Sequence, residues 1–560
     1  MEINDTSPRA DPADRLTLFA AGSNADAATD GIPPGLAAAL RDNPAEALRS
    51  ISGPFALSLQ QACGRSLIAV DRFAVLTLCY RVVNGALRVA QRADNLADAD
   101  TEIDPQAIFD YLFFHCIPSP RTIYKGVFRL PPAHFAVLEH GQLRVERYWT
   151  PEFREEGGRS FDALRDQFRE LLKQAVRRQL DGSKAACYLS GGTDSSTIAG
   201  MIGQAGARPA ATYSIGFKAQ GYDEMAFARI AATRFGTEHH EYYVTPDDLV
   251  RSIGDVATHF DQPFGNSSAL PAYYCARMAR ADGVTRLLAG DGGDELFGGN
   301  SRYAKQRVFG WYQHLPAPLR NGLVQPLLER SPLGRLPGLR KATSYVGQAK
   351  VPMPDRLHMY NLLLRLGTAD VLTPAFLASV DTQGPLHQQR EVWGQSGAVN
   401  EVNRTLAYDW RYTLAESDLP KVRLSAQLAD VTVGFPFLDH DLVNFSLGLP
   451  TDHKLRGLKL RWFFKEALLG FLPDEIITKR KQGFGLPFGV WLVKHAPLKK
   501  LSTESLHSLA GRDIVRREFI SDLLQRRLVE HPAYYGEMVW ILMMLEQWLQ
   551  GHARVGAARY

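Results

Sequence analysis

Ala185-Ala186-Cys187-Tyr188-Leu189-Ser190-Gly191-Gly192-Thr193-Asp194-Ser195-Ser196 is the stretch that decides the fold. It opens as a short apolar run, the pattern of a buried strand. Two glycines then make a tight turn, and residues 195–202 read as the first turns of a helix. A strand, a glycine turn and a helix N-terminus together form an anion site: the unpaired amides of the first turn point at the ligand and the helix dipole favours negative charge. Glycine allows the backbone to come close where a Cβ would clash. Ser190, Thr193, Ser195 and Ser196 add hydroxyl donors. Asp194 would repel phosphate unless a cation lay between them, and Mg²⁺ is the natural one.

The common nucleotide P-loop, a longer glycine loop ending in Gly-Lys-Ser/Thr, does not occur in the chain. The stretch instead resembles the PP-loop of ATP pyrophosphatases, which cleave ATP between the α and β phosphates and adenylate a substrate. Working outward, strands at 185–189, 211–215, 240–244 and 284–289 alternate with helices at 195–204, 223–235 and 269–282. Such alternation implies an α/β domain with a parallel sheet covered on both faces. Ligands bind such sheets at the carboxyl ends of strands, so the loops at 190–196, 216–217 and 290–299 are expected to carry the chemistry. A helix capped by Ser160, with Phe161, Leu164, Phe168, Leu171, Leu172 and Ala175 on one face, leads into this domain. From about 300 the pattern is mostly helical.

Upstream, residues 1–50 are rich in Ala, Asp, Pro and Gly and read as loosely ordered. Short β-type runs at 55–59, 66–70 and 75–80, a helix at 104–115 and strands within 124–148 read as an α+β module. Residues 149–160 read as a linker, which divides the chain into domains 1–150 and 160–555.

The 560 residues are 45% hydrophobic and 22% charged, ordinary globular values. The net charge of +4 over 64 basic and 60 acidic residues gives no reason to invoke nucleic acid or an anionic membrane. Cys63, Cys79, Cys116, Cys187 and Cys275 show no metal-ligand spacing and suit a reducing, cytoplasmic setting. No signal peptide and no spanning segment is legible. The most apolar window, residues 538–549, is broken by Glu546 and reads as a core helix.

The second motif is Gly290-Asp291-Gly292-Gly293-Asp294-Glu295-Leu296-Phe297-Gly298-Gly299, after a buried strand. Three acids among five glycines repel one another unless a metal or a cationic partner resolves the charge. With the loop at 190, this motif resembles the paired signatures of the asparagine synthetase family. Ser214-Ile215-Gly216-Phe217, Asp261-Gln262-Pro263, Pro436-Phe437-Leu438-Asp439-His440, Arg480-Lys481-Gln482-Gly483-Phe484 and the terminal helix at 540–548 also match. The resemblance implies an adenine nucleotide α-hydrolase-like domain with a helical C-terminal part, preceded by a class II glutaminase-like domain. It implies that Asp194 and Asp294 hold Mg²⁺ against ATP and that Ser190, Gly191, Gly192 and Ser195 cradle pyrophosphate. Leu189, Ser196, Ser214, Gly216 and Gly290 complete the nucleotide site, Arg461 lies near the phosphates, and Lys481 stabilises the transition states.

The chain departs from the family in two places. Asparagine synthetases carry a cysteine nucleophile after Met1. Glu2 stands at that place here, and no cysteine precedes Cys63. The N-terminal domain therefore resembles a degenerate glutaminase scaffold, and glutamine-derived ammonia is not the expected nucleophile. Where relatives carry a Glu and an Arg before Pro436, this chain has Thr432 and Gly434, and Gly434 is expected to enlarge the acceptor pocket. Asp291 takes the place of the family's Glu or Tyr and is the expected base for the attacking amine; an ordinary Asp, with pKa near 3.9, is weak for that task. Within the family, β-lactam synthetases and lasso-peptide cyclases use an amine already in the substrate. The chain most resembles the cyclases. That implies macrolactam closure of a precursor peptide, with a leader-removing cysteine protease as partner. β-Lactam formation, an asparagine synthetase-like reaction with free ammonia and an inactive peptide-binding scaffold are the alternatives.

Overall fold

A computed structural model describes residues 2–3, 15–19, 35–206, 209–313, 315–319, 322, 326–327, 337–398, 400–480, 483 and 485–552. In the first domain, strands run in chain order as β1 (Glu2–Ile3), β2 (Arg15–Phe19), β3 (Ala56–Gln60), β4 (Ser66–Val70), β5 (Cys79–Val83), β6 (Ala86–Ala90), β7 (Phe128–Arg129), β8 (His134–Glu139) and β9 (Gln142–Arg147). They form two antiparallel sheets, ordered β1-β2-β3-β4-β8-β9 and β6-β5-β7. Strand alternation splits the apolar side chains between two layers. Leu57, Leu59, Leu67, Phe135 and Val137 pack under helices α1 (Leu36–Asp42) and α2 (Pro44–Ser50). Ile68, Val70, Ala136 and Leu138 face Leu78 together with Tyr80 and Leu87 of the second sheet.

Two expectations for this domain need correction. Residues 36–50, read as loosely ordered, form α1 and α2. Leu36, Leu40 and Leu48 are buried, and Asn43 accepts the Glu46 amide to cap α2, whose first residue is Pro44. The run at 75–80 becomes a strand only from Cys79. The amides of Phe73, Val75 and Leu76 instead donate to the buried Asp71 carboxylate at 2.9, 3.2 and 3.3 Å, which folds the segment into a turn.

The second domain is built on five parallel strands in the order β12-β11-β10-β13-β14: β10 (Ala186–Tyr188), β11 (Ala211–Phe217), β12 (Glu238–Val244), β13 (Arg286–Leu288) and β14 (Thr432–Gly434). Every residue of β11 is buried, as a strand covered on both faces requires. The chain leaves β10 towards β11 on one side and continues through β13 and β14 on the other. The crevice between β10 and β13 therefore lies where the strand order reverses. Helices α3 (Pro105–Phe114), α4 (Phe161–Arg178), α5 (Thr193–Ala205), α6 (Met225–Phe235), α7 (Pro246–His259) and α8 (Ala269–Ala281) follow in chain order. The sequence pattern missed α7, although Thr245 and Asp248 form a complete capping box there, and it missed β14.

The domains share one core. Ile108, Phe109 and Leu112 of α3 belong to the same apolar cluster as Trp540, Ile541 and Leu545 of the terminal helix Pro532–Gly551. The Tyr111 hydroxyl donates to the Ile541 carbonyl at 2.8 Å. Asp261 and Gln262 accept the amides of Ala93 and Ile123 at 2.9 and 3.2 Å, so this motif docks the first domain. Residues 149–160 contain no helix or strand, yet they are pinned. Trp149 stacks on Trp410 with centroids 6.2 Å apart, and Glu155 accepts Asn400 and Asn403 side-chain amides at 3.1 Å. The terminal helix is buried as expected: Glu546 is fully buried and paired with Arg512 at 2.6 Å. Among the described residues, no helix is long and apolar enough to cross a membrane.

Candidate active site

The loop after β10 is held open by its own hydrogen bonds. The Ser190 amide donates to Ser195 Oγ at 3.1 Å, the two hydroxyls lie 3.1 Å apart, and the Gly192 amide reaches Ser190 Oγ at 3.3 Å. Gly191 has φ +69°, and a Cβ there would come within 2.4 Å of the Ala228 amide nitrogen, so only glycine fits against α6. Helix α5 begins at Thr193, two residues earlier than the sequence pattern suggests. The unpaired amides of its first turn lie where Gly192, Thr193, Asp194 and Ser195 line the crevice.

The loop after β13 interlocks with the first. A Cβ on Gly290 would lie 2.9 Å from the Ser195 nitrogen. A Cβ on Gly293 would lie 2.0 Å from Asp194 Oδ1, and one on Gly299 would lie 1.7 Å from Asp294 Oδ1. The glycines of the second motif are thus the space that the two carboxylates fill.

Between those carboxylates sits Arg461. Its Nη1 donates to Asp194 Oδ2 at 2.6 Å, to Asp294 Oδ1 at 2.8 Å and to Thr193 Oγ1 at 3.0 Å, while Nη2 donates to Asp194 Oδ1. Burial would depress the guanidinium, but Asp194 and Asp294 outweigh it and raise its pKa above the ordinary arginine value. Asp194 and Asp294, a hundred residues apart in the chain, therefore converge on one cation.

In the same crevice, Lys421 Nζ lies 2.8 Å from Asp418 Oδ1 and 3.7 Å from Asp291 Oδ1. Burial pushes the Asp291 carboxyl up to about 6, opposed by Lys421 and reinforced by Asp418 and Asp194. Asp418 and Asp291 in turn raise the Lys421 ammonium above its ordinary value against the cost of burial. Glu295, the third acid of the motif, is buried and raised well above the carboxylate range, first by desolvation and then by Asp294 and Asp418.

Both groups open into one cavity of about 1130 Å³. Of the residues expected from sequence, Leu189, Ser190, Gly192, Asp194, Ser195, Gly290, Asp291, Asp294 and Arg461 line it. Gly191, Ser196, Ser214 and Gly216 do not. Ser196 is fully buried, the Ser214 hydroxyl donates to the Leu189 carbonyl and ties β10 to β11, and Gly216 backs onto Tyr243. Lys481 lies outside the described residues. The expectation that Gly434 enlarges the pocket is not met. Gly434 lies in β14 away from the cavity, and a Cβ there would meet Gln179 Oε1 at 2.2 Å and Leu288 Cδ2 at 2.7 Å.

Sequence reasoning overlooked further cavity cations, among them Lys421, Lys465 and Lys479. Lys465 donates to the Ile477 carbonyl at 2.6 Å, and Lys479 pairs with Glu224 at 2.8 Å while lying over the Phe227 ring. Lys465 lies on helix Trp462–Ala467, which Arg461 precedes in a left-handed conformation, so no simple helical spacing marked it in the sequence.

The donor chemistry fits Mg²⁺. Among the described residues, no group of three or more His, Cys, Asp or Glu forms a protein-only metal cage. Two facing carboxylates, completed by phosphate oxygens and water, are instead the usual protein share of a magnesium–nucleotide site.

The comparisons with known proteins agree with this arrangement. The sequence matches the asparagine synthase family over residues 167–550 and the glutamine amidotransferase domain over residues 27–149. Asparagine synthetase [glutamine-hydrolyzing] 1 of Bacillus subtilis (strain 168) is 24% identical, covering 93% of this chain and 81% of that protein. Asparagine synthetase [glutamine-hydrolyzing] 3 of the same organism is 25% identical over 65% of this chain and 55% of its own length. Amidase chyE of Penicillium rubens (strain ATCC 28089 / DSM 1075 / NRRL 1951 / Wisconsin 54-1255) is 24% identical over 83% and 74%. Two interlocked glycine–aspartate loops at the reversal point of a parallel sheet, behind a glutaminase-like domain, thus place this chain in the asparagine synthase family, as an ATP-dependent amide ligase.

Proposed function

We propose that the enzyme forms AMP and pyrophosphate while activating a carboxylate side chain of a precursor peptide, and that it closes a macrolactam with the peptide's own N-terminal amine. The observation that carries this reading is the single cavity joining the Asp194–Asp294 pair to the Asp291–Lys421–Asp418 group. The amides at the start of α5 and the hydroxyls of Ser190 and Ser195 bind the phosphates. Asp194 and Asp294 hold Mg²⁺, which when bound neutralises phosphate charge. Lys481 takes the transition-state role that the family resemblance assigns it.

The substrate carboxylate attacks the α-phosphorus, pyrophosphate leaves and an acyl-adenylate results. The amine nitrogen then attacks the acyl carbon, the amide bond forms and the acyl C–O bond breaks, so AMP departs carrying the former carboxylate oxygen and that bond's electron pair. Asp291, raised to about 6, is unprotonated at neutral pH yet more basic than an ordinary Asp. It accepts the proton that the amine loses, and Lys421 keeps its charge balanced. Delivering the amine on the same molecule replaces a bimolecular step by a unimolecular one, worth up to ~7–11 kcal/mol.

Two features support a bulky peptide. The cavity of about 1130 Å³ is at the upper limit of small-molecule pockets. Its wall carries apolar Leu458, Leu460, Trp462, Ile476 and Ile477, of which Leu458 is half exposed. A leader-removing cysteine protease would supply the free amine. The match to a glutamine amidotransferase domain favours a second reading, amide formation with ammonia, although no cysteine precedes Cys63. ATP–pyrophosphate exchange separates the two. Exchange that needs the precursor peptide and yields a product lighter by one water supports ring closure. Exchange with a small acid, with product only when ammonium is added, overturns it.

A further inference from the structure

Arg461 reaches the two aspartates from an unusual position. It precedes helix Trp462–Ala467 with φ +54° and ψ 36°, a left-handed conformation that non-glycine residues rarely adopt. Its guanidinium lies 3.9 Å from the centroid of the Phe464 ring, and its Nε is buried without a hydrogen-bond partner. The side chain is thus held by packing from behind while its fork grips Asp194 and Asp294 in front. The oxygens it grips, on both carboxylates, are those a divalent cation needs. A guanidinium and a divalent cation cannot share them at such distances, because the two positive charges repel.

We infer that Arg461 is an internal counter-ion that holds the Asp194–Asp294 pair together before nucleotide arrives and excludes a divalent cation until phosphate draws the guanidinium away. The inference rests on the reading that Asp194 and Asp294 are the metal ligands. The same planar fork that matches two carboxylates matches phosphate oxygens, so the incoming triphosphate offers Arg461 a replacement partner and brings the metal with it. Metal affinity without nucleotide is then lowered by the fraction of molecules in which the fork is engaged.

The test uses Mn²⁺ as the probe, with binding to the full chain followed by electron paramagnetic resonance in the absence of nucleotide. The expected result is weak binding by the unchanged protein and binding at least roughly ten-fold tighter by Arg461→Gln, which removes the competing charge. Arg461→Lys, which keeps a charge but loses the fork, is expected to fall between them and serves if the glutamine variant does not fold. If neither variant binds Mn²⁺ more tightly than the unchanged protein, the counter-ion role is overturned. A control separates this failure from a failure of the ligand assignment. With a non-hydrolysable ATP analogue, the unchanged protein binds Mn²⁺ and Asp294→Asn does not. If that difference is absent, the metal ligands themselves are wrong and the inference falls with them.

Discussion

The cavity contains two pairs of carboxylates, each bridged by one cation, and the contrast between them separates two jobs. In one pair Arg461 binds Asp194 and Asp294 at 2.6 and 2.8 Å through a planar fork. In the other, Lys421 offers a point charge, 2.8 Å from Asp418 and only 3.7 Å from Asp291. Fork geometry satisfies both partners at once, whereas an ammonium favours one and leaves the second under-compensated. The tight pair therefore turns both carboxylates onto one centre and suits a cation and phosphates. The loose pair leaves Asp291 raised to about 6, suited to taking a proton. Burial is the largest cause of that shift and the looser bridge offsets it only in part, so similar residues in one cleft acquire different chemistry from burial and bridge geometry together.

The largest test of that contrast is Asp194→Ala, expected to lower ATP–pyrophosphate exchange by roughly 10³-fold; a variant that still makes AMP would break the assignment of the tight pair. Asp291→Asn is expected to leave exchange intact while slowing amide formation by about 10²-fold, read by single-turnover product analysis. Because the base must be unprotonated, amide formation should rise with pH through about 6. Lys421 opposes the upward shift, so Lys421→Met should move this limb to higher pH, and a limb that stays put would sever Lys421 from Asp291. Gly299→Ala puts a Cβ into the space of Asp294 Oδ1 and should lower stability by about 1–3 kcal/mol in thermal unfolding. Cys63→Ser, at an exposed turn outside both pairs, should change stability by less than ~0.5 kcal/mol and leave turnover unaltered.

The strand–helix alternation and both glycine–aspartate loops were legible because they carry local signals: an apolar run, a turn, and a helix start within a dozen residues. The helices at 36–50 were not, since an Ala- and Pro-rich composition masked the burial of Leu36, Leu40 and Leu48. β14 was hidden because a three-residue strand gains its identity from pairing with β13, far away in sequence. The same limit applies to the site. Arg461 could be placed near the phosphates by resemblance, but its position between two aspartates depends on three segments meeting. Gly434 shows the converse error, since its place in an alignment suggested a pocket wall whereas its strand turns it towards Gln179.

The stacked pair Trp149 and Trp410 has a practical consequence. Trp410 also donates its indole N–H to the Glu295 carbonyl at 2.9 Å, inside the second loop. A displacement of that segment on substrate entry would act directly on one of two parallel, offset indoles. Substrate entry is therefore expected to change the intrinsic fluorescence, and Trp410→Phe to remove the share of that change contributed by this pair among the chain's 8 tryptophans.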